Sequence, residues 1–279
     1  MPELPEVETI VKDLNKTVKG LKIIDVWTDW KKMVKQPSYS DFVKQIKGRK
    51  ILKARRRGKY ILLDLSKGKI LIIHQKISGH LLYGKWDVKK GIKVLSNGAL
   101  KQDKYNKYIR FIFYLNKNQL GLSDLRRFAK ILLVDEEPEE IKKLGPEPFK
   151  VSFKKFKEIL EKRKARIKSV LMNQNVIAGI GNIYSDEILF DAKIHPLKKE
   201  LKPEEIKRIF NSMNKILRRA IVLRGDSMRD YRDLKGKKGR YQEVQKVYHA
   251  EKCSRCKGKI KRMKIGGRSA HFCPVCQKL

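Results

Sequence analysis

The sequence is poor in acidic residues and contains no long apolar run. It has 30 aspartates and glutamates against 68 lysines and arginines, so the formal net charge of its 279 residues is +38. A charge of this size repels itself in the folded state and is typical of proteins with a polyanionic partner, above all nucleic acid. A coding bias toward lysine is the alternative explanation. Because no stretch of about eighteen apolar residues occurs, the sequence predicts no membrane span.

Cysteine is absent before residue 253, which excludes disulfides distributed through the fold. The cysteines form two pairs with CxxC spacing, Cys253 with Cys256 and Cys273 with Cys276. This spacing predicts one tetrahedral Zn²⁺ held by four thiolates, which leaves no open position for chemistry and indicates a structural site. Two disulfides are the alternative. The N-terminus lacks the cationic start and apolar stretch of a signal peptide, and we therefore expect a cytoplasmic protein.

The first half of the chain shows the pattern of a helix followed by antiparallel strands. Residues 5–19 carry one apolar helical face, made by Val7, Ile10, Val11, Leu14 and Val18. Short β-branched runs follow, with glycines such as Gly58 and Gly79 between them; the runs are 23–27, 51–55, 60–65, 69–74, 108–115, 119–122 and 129–134. We interpret residues 1–134 as a helix-led antiparallel β-sandwich or barrel.

The rest of the chain changes character twice. Residues 135–151 are rich in acids and prolines and have no hydrophobic periodicity, which indicates a linker. Helical periodicity then returns, and a longer helix is predicted near residues 203–223. Residues 225–240 are polar, basic and glycine-rich, which predicts a mobile loop at the end of a helical domain spanning 152–240. The cysteine module occupies residues 241–279.

The extreme N-terminus places a proline between a methionine and a carboxylate. Removal of Met1 would give Pro2 a secondary amine, and part of it would be unprotonated near neutral pH because α-amino groups titrate at about 7.7–8.0. Such an amine can form an iminium with a sugar aldehyde carbon, and a carboxylate of Glu3 or Glu6 could transfer the protons. An ordinary helix entry is the alternative explanation of the same residues.

Separated motifs in this order resemble those of the formamidopyrimidine-DNA glycosylase family over almost the whole chain. The segments that carry the resemblance, in addition to the cysteine spacing, are MPELPEVET at 1–9, RRGKY at 56–60, SDLRRF at 123–128, LGPEP at 144–148, GIGNIYSDE at 179–187 and FCPVCQ at 272–277. The resemblance implies an α+β multidomain fold with an N-terminal β-sandwich, a helical helix–two-turn–helix domain and a C-terminal zinc finger hairpin.

The function that the resemblance implies is base excision repair. Members of the family remove oxidised purines, such as 8-oxoguanine and formamidopyrimidines, from duplex DNA and then cleave the strand as lyases by β,δ-elimination. We therefore expect a cytoplasmic, nucleoid-associated monomer whose partner is double-stranded DNA containing an oxidised base, with no membrane involved. Two alternatives stay open: an endonuclease VIII-like glycosylase for oxidised pyrimidines, and a protein that binds damaged DNA without cleaving it.

The family pattern assigns catalytic roles near the sugar to four residues. Pro2 is expected to be the nucleophile at the deoxyribose C1′, and Glu3 to protonate or stabilise the opening sugar. Glu6 is expected to position the N-terminus and water, and Lys59 to contact the phosphates that flank the lesion. The zinc ion takes no chemical part in this scheme.

An enzyme that everts a base must fill the hole that the base leaves in the stack. By family pattern Ile77, Arg126 and Phe128 fill it, and Arg126 hydrogen bonds to the orphaned base. From the residues alone, Phe128 could as well be a core aromatic on a strand. Lesion recognition is expected from the loop of residues 225–241, which would close over the everted base.

The phosphodiester backbone is expected to contact Asn182 and Arg268. The chain also departs from the family pattern in three places. Ile77 stands where methionine is usual, and isoleucine is stiffer and shorter in reach. Tyr108 occupies the apparent place of a phosphate-binding histidine, and YHA at residues 248–250 replaces the usual YGR. We expect these departures to affect recognition more than the reaction.

Overall fold

The computed structural model describes residues 1–228 and 230–279, and its chain divides into two compact units. Unit 1 comprises Met1–Lys142 together with Leu223–Arg240, and unit 2 comprises Lys143–Val222 together with Tyr241–Leu279. Residue 229 belongs to the loop expected to recognise the lesion and lies outside the described residues. The domain boundaries inferred from the sequence stay a prediction.

Unit 1 contains the β-structure expected of the first half of the chain. Its helices are α1 (Leu4–Thr17), α2 (Tyr39–Ile46), α3 (Ala99–Gln102) and α4 (Glu139–Lys142). Its strands are β1 (Ile23–Thr28), β2 (Val34–Gln36), β3 (Ile51–Arg57), β4 (Tyr60–Leu65), β5 (Ile70–His74), β6 (Gly79–Gly84), β7 (Trp86–Asp87), β8 (Lys93–Val94), β9 (Ile109–Leu115), β10 (Gln119–Asp124) and β11 (Lys130–Val134).

The longer strands form two sheets whose inner faces share one core. Within the described residues, one sheet has the order β1-β9-β10-β6 and the other the order β2-β11-β5-β4-β3, with antiparallel neighbours except for the parallel pair β11 and β2. Alternate residues of a strand point to opposite faces, so Phe111 and Phe113 of β9 meet Ile61 and Leu63 of β4 in the same cluster. The expected helix-led antiparallel β-sandwich is thereby confirmed.

Helix α1 supplies the apolar face that its periodicity predicts. Val7, Ile10 and Leu14 are fully buried in the core of unit 1, and the helix packs against β3 and β4. Burial of each such side chain contributes about 1.5–3 kcal/mol. Pro5 lies in the first turn, where its missing N–H breaks no helical hydrogen bond.

Several elements of unit 1 are absent from the sequence prediction. Gly79, expected to separate strands, is the first residue of β6, and Gly84 is its last. Helix α2 has only eight residues, too few for a clear period, and it begins where Ser38 Oγ accepts a hydrogen bond from Asp41 N at 3.2 Å. The segment between β6 and β9 covers the outer face of the first sheet, where Trp86 packs with buried aliphatic side chains.

Unit 2 contains the helices expected after the linker and a two-stranded hairpin. Its elements are α5 (Phe153–Glu161), α6 (Ile167–Met172), α7 (Asn182–Ala192), α8 (Pro203–Val222), β12 (Lys261–Ile265) and β13 (Arg268–Phe272). Helix α8 agrees closely with the long helix predicted over 203–223. Among the described residues of the chain, no helix has the length and apolar character needed to cross a membrane.

A buried ion pair connects the helices of unit 2 to the hairpin. Lys168 Nζ of α6 lies 2.5 Å from Asp186 Oδ1 of α7, and both side chains are fully buried. The other oxygen of Asp186 accepts a hydrogen bond from His271 N of β13 at 2.9 Å. A single carboxylate therefore neutralises a buried cation and fixes the position of a strand.

We predict that Asp186→Asn lowers the free energy of unfolding of unit 2 by about 3 kcal/mol, because it leaves the ammonium of Lys168 buried without its counter-charge. Urea unfolding followed by circular dichroism of the zinc-bound protein measures the loss. Lys215→Ala is the matched control, since it breaks the pair with Asp191 (3.0 Å) at an exposed position and should cost under about 1 kcal/mol. Equal losses in both variants would contradict the prediction.

Candidate functional site

The N-terminal residues are held in a fixed geometry by Glu6. Pro2 is buried and Glu3 and Glu6 are each only 2% exposed. Glu3 N donates to Glu6 Oε2 at 2.7 Å, in the geometry of a capping box at the start of α1. The other oxygen, Oε1, accepts a hydrogen bond from Asp226 N at 2.8 Å. Both oxygens of Glu6 thus bind backbone N–H groups, which suits a positioning group.

The segment Leu223–Arg240 of unit 1 contacts the carboxylate of Glu6 near its start, at residues 225 and 226. Gly225 has φ +83°, and a Cβ at this residue would lie 2.6 Å from Glu6 Oε1, so a side chain here would displace the carboxylate. Further along, Ser227 Oγ donates to Tyr231 O and accepts from Gly239 N, both at 2.8 Å. The described residues of this segment therefore carry an internal set of hydrogen bonds. Closure of the segment over a base stays a prediction.

Lys59 lies in the tight turn between β3 and β4, where Gly58 has φ +54°. Its side chain is only 7% exposed. Strand β5, which pairs with β4, ends at His74. Its Nδ1 accepts a hydrogen bond from Lys76 N at 2.9 Å. Burial, reinforced by the positive charges of Lys76, Lys59 and Lys130, lowers the pKa of His74 to about 3. The imidazole therefore stays neutral beside a group of cations.

Two connections between the sheets of the sandwich lie side by side. One runs from β5 to β6 and the other from β10 to β11, and the register pairs Asp124 with Gly79 and Lys130 with His74. The fully buried carboxylate of Asp124 joins them, because its Oδ1 accepts from Ser78 Oγ at 2.6 Å. The sandwich topology thus brings these two short loops together.

These connections carry all three side chains expected to fill the hole left by an everted base. Ile77 is half-buried on the first connection, and Arg126 and Phe128 are exposed on the second. Phe128 is 53% exposed and lies outside any strand, so the alternative of a core aromatic on a strand is wrong. The carboxylate of Asp124 also accepts from Arg126 N at 3.2 Å and from Ala129 N at 2.7 Å, which fixes both ends of the turn.

In unit 2, Asn182 is the first residue of α7. The turn before it is held by Gln174, whose amide donates to Ile180 O at 2.7 Å and accepts from Gly179 N at 2.9 Å. The N-terminal end of a helix carries a partial positive charge, which favours an anion. This position supports a phosphate contact by Asn182, which stays a prediction.

The zinc hairpin presents Arg268 at its tip. Gly266 and Gly267, with φ +54° and +74°, connect β12 to β13 in a two-residue turn that glycine adopts without strain. Arg268 follows them as the first residue of β13 and is exposed. A contact of its guanidinium with the DNA backbone stays a prediction.

The four cysteines meet as the CxxC spacing predicts. Their Sγ atoms all lie within 4.8 Å of one another, with Cys253 and Cys276 at 3.8 Å and Cys256 and Cys273 at 3.5 Å. Four thiolates bound to zinc at about 2.3 Å in a tetrahedron have separations of this size. The site therefore fits one structural zinc ion, which would hold the two knuckles of the module together.

Comparison with known proteins identifies the family. The sequence model of the formamidopyrimidine-DNA glycosylase N-terminal domain matches residues 1–131, and that of the H2TH domain of the same enzyme matches 144–232. A zinc finger found in FPG and IleRS matches residues 250–279. The chain belongs to the formamidopyrimidine-DNA glycosylase family.

Individual relatives resemble the chain from end to end. The formamidopyrimidine-DNA glycosylase of Pelotomaculum thermopropionicum is 40% identical over 290 residues, with both chains covered completely, and that of Listeria innocua is 36% identical with the same coverage. Among solved structures, Lactococcus lactis Fpg in complex with DNA containing an abasic site has a TM-score of 0.87 at 35% identity, and covers 99% of this chain and 100% of its own. The complex of the same enzyme with DNA containing N7-benzyl-Fapy-dG gives the same TM-score and identity, with both chains covered completely.

Sequence reasoning missed several residues that hold the site. Ser78 and Asp124 are polar side chains at the ends of strands, and their bond joins residues 46 positions apart. Asp124 lies within the SDLRRF motif, so the motif gave a signal for it. Neither Ser78 nor Gln174 carries any pattern that distinguishes it from a surface residue, because its partners become neighbours only in the folded chain.

His74 should make the protein sensitive to acid. Its folded-state pKa lies below the unfolded value, so its contribution to stability is complete above about pH 6.5 and is lost as the pH falls toward 3. Between pH 7 and pH 5 the loss amounts to about 2 kcal/mol. In His74→Asn, whose side-chain oxygen can accept the same hydrogen bond, this part of the loss should disappear. Denaturant unfolding at both pH values tests this, and identical pH dependence in the two proteins would contradict it.

Removal of zinc should unfold the cysteine module and leave unit 1 intact, because binding energy in small zinc modules is folding energy. The three tryptophans lie at residues 27, 30 and 86, so their fluorescence reports unit 1 alone. We expect one zinc ion per chain by atomic absorption and unchanged tryptophan emission after chelation, with duplex affinity reduced at least about tenfold. Cys273→Ser should reproduce the result. Full duplex affinity in the zinc-free protein would contradict it.

Proposed function

We propose that this chain is a bifunctional DNA glycosylase and abasic-site lyase that excises oxidised purines with the amine of Pro2. The observation that carries the proposal is the pair of hydrogen bonds on Glu6, from Glu3 N and from Asp226 N, which join the N-terminus to residue 226. Attack at C1′ and recognition of the attached base concern one nucleotide, so the nucleophile and the base-reading segment must be neighbours. The names of the full-length relatives, and the abasic and Fapy-dG DNA in the matching complexes, support this assignment.

In the proposed reaction, Pro2 first loses its amide bond to Met1 through removal of the initiator methionine. The secondary amine attacks C1′, and the glycosidic bond breaks with its electron pair and a proton leaving on the base. Glu3 donates a proton to the sugar ring oxygen as the ring opens, which produces an iminium at C1′. Loss of a proton from C2′ expels the 3′ phosphate, a second elimination expels the 5′ phosphate, and water releases the amine.

The remaining predicted residues serve base eversion and DNA binding. Ile77, Arg126 and Phe128 would occupy the space left by the base, since the two connections that carry them are held together at Asp124. Lys59, Asn182 and Arg268 would hold phosphates, which positions the duplex without reading its sequence. The net charge of +38 supports an electrostatic contribution to this binding. We place the enzyme in the cytoplasm, associated with the nucleoid.

Borohydride trapping tests the proposal. The mature protein, its N-terminal mass confirmed, should form a covalent adduct with an 8-oxoguanine duplex, and the adduct should map to residue 2. Glu3→Gln should slow excision by about 100-fold or more, because it removes a proton donor. Pro2→Gly should lower base excision to a similar degree, since it changes the basicity and geometry of the nucleophile.

Pro5→Ala is the matched control, because it removes a proline from the same helix end and retains the amine of Pro2. It should trap at close to the normal rate. A duplex containing thymine glycol should be trapped more slowly than the 8-oxoguanine duplex; the reverse order would assign the enzyme to oxidised pyrimidines. A protein that lacks Met1 and binds both duplexes but forms no adduct would overturn the proposed mechanism.

A further inference from the structure

Arg127 lies between the two exposed side chains expected to enter the DNA stack, yet no role has been assigned to it. Its backbone has φ +57°, in the left-handed region that residues other than glycine seldom adopt. The turn before it is closed by a hydrogen bond from Arg127 N to Asp124 O at 3.4 Å. Because this backbone conformation is costly for arginine, contacts of the Arg127 side chain would help to hold it.

The contact that holds Arg127 is the indole of Trp30. The guanidinium carbon lies 4.8 Å from the centroid of the Trp30 ring, within the range of a cation–π interaction. Trp30 is half-buried and packs against the core of the sandwich, and Trp30 N donates to Thr28 Oγ1 at 2.9 Å. The ring is therefore held in place. It belongs to the chain just after β1, far in sequence from the turn that carries Arg127.

Other charged groups surround this contact. Asp29 Oδ2 lies 3.8 Å from an amino group of Arg127 and 2.5 Å from Arg110, so one carboxylate spans two guanidinium groups. Lys32 Nζ also lies over the Trp30 ring, at 5.8 Å from its centroid. Of the two cations that the described residues place over this ring, Arg127 is the closer, and it belongs to the turn between β10 and β11.

We propose that Trp30, with Asp29, is a positioning residue that holds Arg127 and thereby keeps Arg126 and Phe128 presented to the DNA before it binds. Asp124 fixes the two ends of the turn through its hydrogen bonds, and the ring of Trp30 holds Arg127 in the middle of the turn. An exposed phenylalanine on an unrestrained turn would be free to fold back onto the protein surface. Ordering the turn in advance reduces the conformational entropy lost when Phe128 enters the stack. The inference rests on the proposed function, since it concerns insertion during base eversion.

The experiment compares two reactions of the same protein under single-turnover conditions. Excision of 8-oxoguanine from a pair requires eversion, whereas cleavage at a preformed abasic site requires less displacement of stacked bases. Trp30→Leu should slow excision about five-fold and change abasic-site cleavage less than two-fold. Trp30→Phe retains an aromatic face and should recover part of the loss. Arg127→Gly tolerates the same φ but removes the contacts with both Trp30 and Asp29, and it should be at least as slow as Trp30→Leu.

Lys32→Ala is the control, because it removes the other cation from the same ring and leaves the turn untouched. It should excise at the normal rate. The double variant Trp30→Leu with Arg127→Gly should be no slower than Arg127→Gly alone, since the guanidinium that the ring holds is already absent. Multiplied losses in the double variant, an equal loss in Lys32→Ala, or parallel losses in both reactions would overturn the inference.

A second readout separates this inference from the proposed chemistry. A duplex with a tetrahydrofuran abasic analogue and 2-aminopurine on the opposite strand reports insertion by fluorescence and requires no excision. If the natural protein inserts but never excises, the proposed function fails while the positioning role is still measured. Slower insertion in Trp30→Leu then supports that role, and an unchanged rate refutes it.

Discussion

The carboxylate of Glu6 accepts one backbone N–H group from Glu3, close by in sequence, and another from Asp226, which lies 220 residues further along the chain. One belongs to the residue after the proposed nucleophile, and the other to the start of the segment expected to read the base. A charged acceptor that is 2% exposed forms stronger hydrogen bonds than a neutral one and is costly to leave without them. The geometry of the proposed reaction therefore depends on Glu6, although Glu6 need not take part in the chemistry.

Carboxylates that accept backbone N–H groups also hold other loops of this protein. Asp124 binds the connections that carry the side chains expected to enter the stack. Asp233 accepts from Lys235 N and Lys237 N, both at 2.9 Å, and so forms a turn within the segment Leu223–Arg240. In unit 2, Glu187 accepts backbone N–H groups of residues 246–248 just before the cysteine module. In each of these places an acid, a scarce residue type in this chain, holds backbone N–H groups.

Patterns within a single stretch of sequence predicted the long helices and the cysteine site, because each of these is determined by neighbouring residues. The apolar period of α1 and α8 and the double CxxC spacing each specify a structure within one stretch of chain. Elements such as α2 and β6 are too short or too rich in glycine to show a period, and they are stabilised by tertiary packing. The contact between Trp30 and Arg127 could not be predicted, because nothing in either segment indicates that the sandwich brings them together.

The resemblance to the family supplied most of the residues of the proposed site. The structure adds the hydrogen bonds that hold those residues in place. The motif residues Pro2, Glu3 and Phe128 carry a chemical interpretation from the sequence alone. The residues that hold them, among them Ser78 and Gln174, act through the fold and have no pattern of their own. Ile77 replaces the usual methionine and directly precedes Ser78, whose hydroxyl donates to Asp124.

Unit 1 is discontinuous, and this has a consequence for the order in which the protein is made. Domains generally begin to fold from the N-terminus while the chain is still being synthesised. Met1–Lys142 can form the sandwich early, but Glu6 obtains its second N–H only when residue 226 has left the ribosome. Glu6 thus completes its hydrogen bonds only with a residue translated 220 positions later, and a chain that ended before it would retain the sandwich without this contact.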